Sequence, residues 1–476
     1  MPVIIELGYL MKHIALLSIL YLLVVFPVIG QTNLIDDSDV QWSLAAVGDV
    51  IMNRQVSPYD QPNDPAFHNL ANLIRGADIA FMNLEQSVFR LADFEGWPAP
   101  LGNMRGNYEL GPPETLFDLK LMGFDLFNQA NNHTTDYGVE GLRETIKLLD
   151  ELGLVHSGAG ENLGWASRPG YLDTAKGRMA LIGMASTFQT MSRAGEATPD
   201  VMGRPGLNPL RIERRVEASP ETIAMIREVA GAYGENVSTD QFAEVQFLGS
   251  TIFPGARDQV LETVNVNDQI RILSEIRNAS DQADYVIVNS HSHEPSNESL
   301  MPPNWLVDFT HEAIDAGAST FIVHGPHQLR GVEIYKGRPI FYSLGNFIFH
   351  IETIDPMPSD IRERYDVGMD ALASEVYDTR FKVDEDGNAT VGYPSDEKWY
   401  RSVLVMMSFR GKNIEEIRFH PIELGWELPR SQRGTPRIAP EPLAREIIEH
   451  LAELSAPYGT EIRYEDGVGV WTADSR

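Results

Sequence analysis

The chain has no cysteine in 476 residues. That excludes a disulfide framework, a thiolate nucleophile and any sulfur-ligated metal, so a metal site must draw on His, Asn, Asp and Glu. Basic residues are scarce: 38 Lys and Arg stand against 68 Asp and Glu, a formal net charge of −30. Such a balance argues against nucleic acid as a partner, because phosphate binding needs a basic face. It also disfavours wrapping a long polyanion over the surface unless metal ions neutralise the contact. The ordinary reading of the charge is solubility or a salty habitat. No Walker-type Gly-x-x-x-x-Gly-Lys-Ser/Thr loop occurs, which argues against ATP-driven ligation. Internal repeats and low-complexity tracts are missing as well.

What is there suffices for a large folded body. A hydrophobic content of 43% and an aromatic content of 9% fill a core and exclude global disorder. The length predicts one large domain with insertions, or two domains. Near the N-terminus, Met11-Lys12-His13 precedes Ile14 to Gly30, a run of 17 residues without a charge. A basic start, an apolar centre and small residues near Val28-Ile29-Gly30 form a secretory signal pattern over residues 1–30, with Gln31 the expected mature N-terminus. An uncleaved anchor is the alternative, although the run is marginal for spanning. Either way the expected location is extracytoplasmic: secreted, periplasmic or anchored through that segment.

From Ser43 onward, short apolar runs alternate with helical patterns, which predicts an α/β fold. Strands are expected at 43–47, 79–83, 125–129, 284–289 and 320–323. Helices are expected at 65–75, 113–121, 137–152, 267–279 and 304–316. Asp136 is of the residue type that caps a helix, and Gly153 ends the third. Hairpins are expected at 170–182 and 402–421, and a late helix at 440–454. Residues 190–262 lack a period and read as an insertion or cap, and 351–374 reads as a long loop.

The strands end in Asp49, Glu85, Asn132-His133, His291-x-His293 and His324-x-x-His327. Each loop alone has an ordinary reading: Asp49 as a turn cap, Glu85 as a surface carboxylate, Asn132 as a turn residue. Carboxylate, carboxamide and imidazole together at five strand ends suit one or two divalent transition ions, Mn, Zn or Fe, better than calcium. A bridging carboxylate would hold two cations about 3.5–4 Å apart and lower the pKa of a shared water.

The segments AAVGDVIMNR, MNLEQSV, NQANNHTTDYGVEGL, VIVNSHSHE and, most specifically, HGPHQLRGVEIYKGRPIFYSLGNFIF resemble the motif series of the CapA family, linked to capsule and poly-γ-glutamate biosynthesis. The resemblance spans roughly residues 43–350 and leaves 351–476 as a C-terminal completion, a hairpin and a helix. It implies a calcineurin-like metallophosphoesterase fold, a four-layer αββα sandwich with a metal centre at the strand ends. It further implies Asp49 and a bridging Glu85 as carboxylate ligands, Asn132, His291 and His327 as further ligands, and His133 beside them as acid/base or oxyanion stabiliser. The chain departs from the pattern twice. Ile51 stands where metallophosphoesterases carry a His, and Gly325 stands where many relatives have a His before Pro326. His324 is then the candidate to fill that ligand's place, and His293 is an extra imidazole for the centre or a substrate. Asn131 and Asn346 are expected around the first ring of ligands, with Asn346 lining the cavity of Glu85 and His291.

The function this implies is synthesis, export or processing of an anionic capsule-type polymer, with a metal-dependent hydrolase centre. The alternatives are a secreted phosphomonoesterase or phosphodiesterase, and a non-catalytic scaffold of a membrane-associated polymer-export complex.

Overall fold

The computed structural model describes residues 40–100, 107–240 and 242–473. The expected signal or anchor segment at 1–30 lies outside them. Among the described residues, no helix is long and apolar enough to cross a membrane.

Two mixed sheets stack face to face. The larger, ten-stranded sheet runs Arg463–Glu465, Val468–Thr472, Asn413–Glu423, Arg401–Arg410, Gln41–Ile51, Ile79–Leu84, Leu126–Asn128, Val155–Ser157, with short Asn346–Phe349 and Arg437–Ile438 as side branches. The smaller, six-stranded sheet runs Val332–Tyr335, Arg338–Phe341, Thr320–His324, Tyr285–His291, Gly177–Ala185, Gly170–Thr174. Strand alternation sorts the side chains. Leu44, Phe81 and Leu126 face Leu181, Ile287, Ile322 and Phe341 between the sheets. Ala45, Val47, Ala80 and Met82 turn outward to Phe67, Leu70, Leu116 and Leu149 of three covering helices, Pro65–Gly76, Glu114–Leu121 and Gly138–Leu152. On the other side, Val286, Val288 and Phe321 meet Ile272, Ile276 and Phe309 of helices Val266–Ser280 and Asn304–Asp315. The result is the four-layer αββα sandwich.

Local signals explain most boundaries. Asp64 accepts from Phe67 N and Pro65 starts the first helix, while Gly153 in the left-handed region, φ 67°, ends the third. Asp136 is a correction: the third helix starts after Tyr137 without a side-chain cap, because the Asp136 carboxylate is engaged elsewhere. Residues 351–374 are not one loop, since they contain the helix Ser359–Arg364 and run into Ala373–Phe381. Within the expected insertion, Ile212–Ala218, Val245–Phe247, Ser250–Pro254 and Gln259–Val264 form a four-stranded sheet. With the helix Pro220–Ala232 it has its own small core of Ala218, Ile223, Ala230, Val245 and Ile252.

One crossover matters for the site. The hairpin at Lys336-Gly337 returns Arg338–Phe341 beside Thr320–His324, in parallel, with Ile340 opposite Phe321. The chain then leaves that sheet, and Asn346–Phe349 joins the larger one beside Gln41–Ile51, with Asn346 opposite Asp49. Gly48 permits this approach, because a side chain there would run into the Gly345 carbonyl, which accepts from Asp49 N at 3.0 Å.

Candidate metal centre

Parallel strands from both sheets end on one side, so their polar termini meet. Glu85 and Asp49 are fully buried, as is His291. Glu85 Oε1 lies 3.4 Å from His291 Nε2, 3.7 Å from His327 Nε2 and 4.0 Å from His293 Nε2. Asp49 closes the other side, with Oδ2 3.5 Å from His327 Nδ1 and Oδ1 3.9 Å from His291 Nδ1. Asn132 Oδ1 is 3.4 Å from His293 Nε2, which is itself 3.0 Å from His291 Nε2. Neither oxygen of Glu85 receives a hydrogen bond from a donor among the described residues. A buried carboxylate without donors costs several kcal/mol unless it is neutralised or bound to a cation, by about 1–3 kcal/mol per unmade bond and more for a charge.

The electrostatics follow from that geometry. Burial, then the Asp49, Glu109 and Asp136 carboxylates, push Glu85 well above the carboxylate range. Burial, then neighbouring imidazoles, hold His291 well below its ordinary value. Burial lowers His327 to about 4 and, with the His327 ring adding to it, His293 to about 3. Glu85 thus resists ionising while the imidazoles around it resist protonation, which leaves their lone pairs facing one another in a buried pocket.

The surrounding hydrogen bonds aim the rings. Asn346 Oδ1 lies 2.9 Å from His327 Nδ1 and Asn297 Oδ1 2.7 Å from His293 Nδ1. An oxygen at Nδ1 keeps the proton there, so both rings turn an Nε2 lone pair toward Glu85. Asn346 Nδ2 also donates to the His327 and Trp399 carbonyls, at 3.0 and 2.9 Å. It thereby steadies His327, whose backbone sits in the left-handed region at φ 61°. Asn83 Nδ2 donates to Asp49 Oδ1 at 2.8 Å and lies 3.1 Å from His291 Nδ1, and Asn83 Oδ1 accepts from Asn128 Nδ2 at 2.7 Å.

Asp49, Glu85, Asn132, His291, His293 and His327 are therefore brought together. His324 is not, which corrects the expectation that it fills a ligand's place. Its Nε2 donates to Val47 O at 2.8 Å and its Nδ1 accepts from Asn289 Nδ2 at 2.6 Å, so both ring nitrogens are committed. Asn131 ties its loop to the end of the Ile79–Leu84 strand, donating to Leu84 O and accepting from His133 N. His133 lines a cavity of about 80 Å3 with Asn132, His293, His327, Glu109 and Ile51, which fills the place of the missing His. His133 Nδ1 lies 2.6 Å from Asp136 Oδ2. Burial opposes charging this ring, but the Asp136 carboxylate outweighs it and His133 ends above its usual value.

The sequence reading missed Glu109, Asp136 and Asn83. Asp136 had a signal, since it follows His133 by three positions in a tight turn. Glu109 had none. It is fully buried, with its Oε2 lacking a partner among the described residues, and burial raises it to about 7. Two overlapping triplets, Glu85-His293-His327 and Asp49-Glu85-His291, each bring donor atoms within 4.8 Å of one another, and such groups could hold a metal ion.

Residues 43–351 match the family described as bacterial capsule synthesis protein PGA_cap. The chain belongs to this capsule-synthesis family. It is 37% identical over 454 residues to the protein y4sH of Sinorhizobium fredii, covering 92% of this chain and 94% of that one. The capsule biosynthesis protein CapA of Bacillus anthracis is 27% identical over 313 residues, 64% of this chain and 59% of its own length. The PGA biosynthesis protein CapA of Bacillus subtilis is 28% identical over 317 residues, 66% of this chain and 64% of its own. The family match takes in every residue of the donor cluster, so the centre belongs to the shared part of the chain.

Proposed function

We propose that this chain is an extracytoplasmic metal-dependent hydrolase that processes an anionic capsule-type polymer of the poly-γ-glutamate kind. The observation that carries the reading is Glu85: a fully buried carboxylate without donors, ringed by three imidazoles and a second carboxylate. Such a donor set fits one or two divalent transition ions, Mn, Zn or Fe, with Glu85 shared between the two triplets. Asp49, Glu85, Asn132, His291, His293 and His327 would hold them, and Asn83 and Asn346 orient the ligands. A bound ion would supply an ionised water at neutral pH and polarise the bond under attack.

The chain's own groups do the rest. His133, held by Asp136, stands at the cavity wall as the proton donor to a leaving group. Ile51 gives the cavity beside the donors an apolar wall. The relatives' names support a polymer substrate, and the charged start and apolar run of residues 11–30 support export.

Metal analysis of the purified full chain, with turnover on poly-γ-glutamate and on a chromogenic phosphodiester, tests this. The expected result is bound transition metal and cleavage of the γ-linked polymer. Glu85→Gln should lose metal and activity together. His133→Ala should keep its metal and lose turnover by about 10²–10⁴-fold. Equal metal content in wild type and Glu85→Gln would overturn the centre, and exclusive cleavage of the phosphodiester would overturn the polymer.

A further inference from the structure

Next to the small cavity runs a groove of about 740 Å3, and the two share Asn107, Thr187, His293, Asn297 and Tyr393 in their walls. In a chain of net charge −30, this groove gathers four cations: Arg214, Arg364, Arg380 and Lys398. Two are already compensated. Lys398 Nζ lies 2.7 Å from Glu298 and 3.1 Å from Asp396, and Arg214 Nε lies 2.8 Å from Glu262. The groove's other acid, Glu294, is occupied by the hydroxyls of Ser186, Thr187 and Ser292 at 2.7–2.8 Å.

Arg364 and Arg380 differ. Among the described residues neither has a carboxylate or carbonyl partner. Each guanidinium lies instead over the ring beside it, Arg364 at 5.8 Å from Tyr365 and Arg380 at 4.9 Å from Phe381. Both arginines lie beyond residue 351, where the family match ends, on the helices Ser359–Arg364 and Ala373–Phe381. Arg214 comes from the four-stranded insertion. All four cations of the groove thus come from parts of this chain outside the family match or inserted into it.

We propose that this groove is an anion-binding channel in which Arg364 and Arg380 hold carboxylates of an extended polymer and lead it to the metal centre. The inference rests on the polymer reading above for the identity of the ligand. Planar guanidinium forks suit carboxylates in a two-point contact, and an arginine without an acidic partner among the described residues has no ion pair to break when an anion arrives. The same placement eases a difficulty posed by the net charge, since the polymer meets the acidic molecule where two arginines stand without acidic partners among the described residues.

Binding of a fluorescent γ-linked glutamate oligomer to the full chain, followed by anisotropy over a range of salt, tests the channel. Wild type should bind, and affinity should fall with ionic strength. Arg380→Gln should weaken binding by about 10-fold and the more exposed Arg364→Gln by about 3-fold. Metal content should stay at the wild-type value in both. Arg364 is exposed and makes no hydrogen bond among the described residues, so its variant remains informative if Arg380→Gln melts early. Unchanged affinity in both variants, no binding by wild type, or equal affinity for a polyphosphate of matched charge would each overturn the proposal. Loss of binding in the variants of a protein that carries no metal would keep the channel and overturn the hydrolase reading alone.

Discussion

Asn346 grips His327 at both ring and backbone, which makes it the residue whose loss separates positioning from ligation. Asn346→Ala removes the oxygen that keeps the proton on Nδ1 and the donor that steadies a left-handed backbone. Metal affinity should drop by about 10–100-fold while the melting curve keeps its cooperative shape, as titration with a competing chelator will read. A second residue-scale expectation concerns acid. Burial, then Arg418, lowers His420 to about 4, and burial, then Arg54, holds His350 well below its ordinary value. Both stay neutral in the fold but take up protons once unfolded below pH about 6.5. Their effect on stability is therefore absent at neutral pH and grows unfavourable as pH falls from about 6.5 toward 4. Melting temperatures of metal-free protein should fall across that window, and His420→Gln should flatten part of the fall. At this scale the sequence distinguishes residue types but not their partners. His324 and His327 read alike in HGPH. Only the folded chain brings Val47 and Asn289 to the first and leaves Nε2 of the second pointing at Glu85.

Strands were legible because an apolar run stops at a polar residue, and that stop is where chemistry collects in a parallel sheet. The strands inside the 190–262 insertion were not, because Ile212–Ala218 is half exposed and its side chains follow no two-residue alternation. The insertion's place in the fold is simple all the same. Asn265 N donates to Arg211 O at 2.8 Å, so residues 212–264 begin and end at one point. Replacing that stretch with a short Gly-Ser link should leave the sandwich folded and its metal content unchanged. Oligomer binding should stay close to the wild-type value, since Arg214 leaves the groove together with Glu262, which already compensates it. Collapse of the whole protein in that deletion would show that the inserted sheet supports the core. The short helices Ser359–Arg364 and Ala373–Phe381 escaped sequence reading for a related reason. Six and nine residues give too few turns for an apolar stripe to stand out.

Across the whole molecule, the boundary of the family match is not a boundary of the fold. Arg401–Arg410 pairs along residues 41–46 of the Gln41–Ile51 strand, and the Trp399 carbonyl takes a hydrogen bond from Asn346. A chain ending at residue 351 would leave one side of its central strand open and the metal centre without part of its brace. We expect it to be insoluble, with no cooperative melting and no bound metal, as fractionation and calorimetry will show. The same pairing sets an order of events as the polypeptide is made. The Gln41–Ile51 strand leaves the ribosome early, yet the neighbour that closes its edge follows some 360 positions later in the numbering above. Until then a growing chain can bury its helices locally but cannot finish its larger sheet. A protein that matures this late stays threadable for most of its synthesis, which is the state the proposed export would need it to keep.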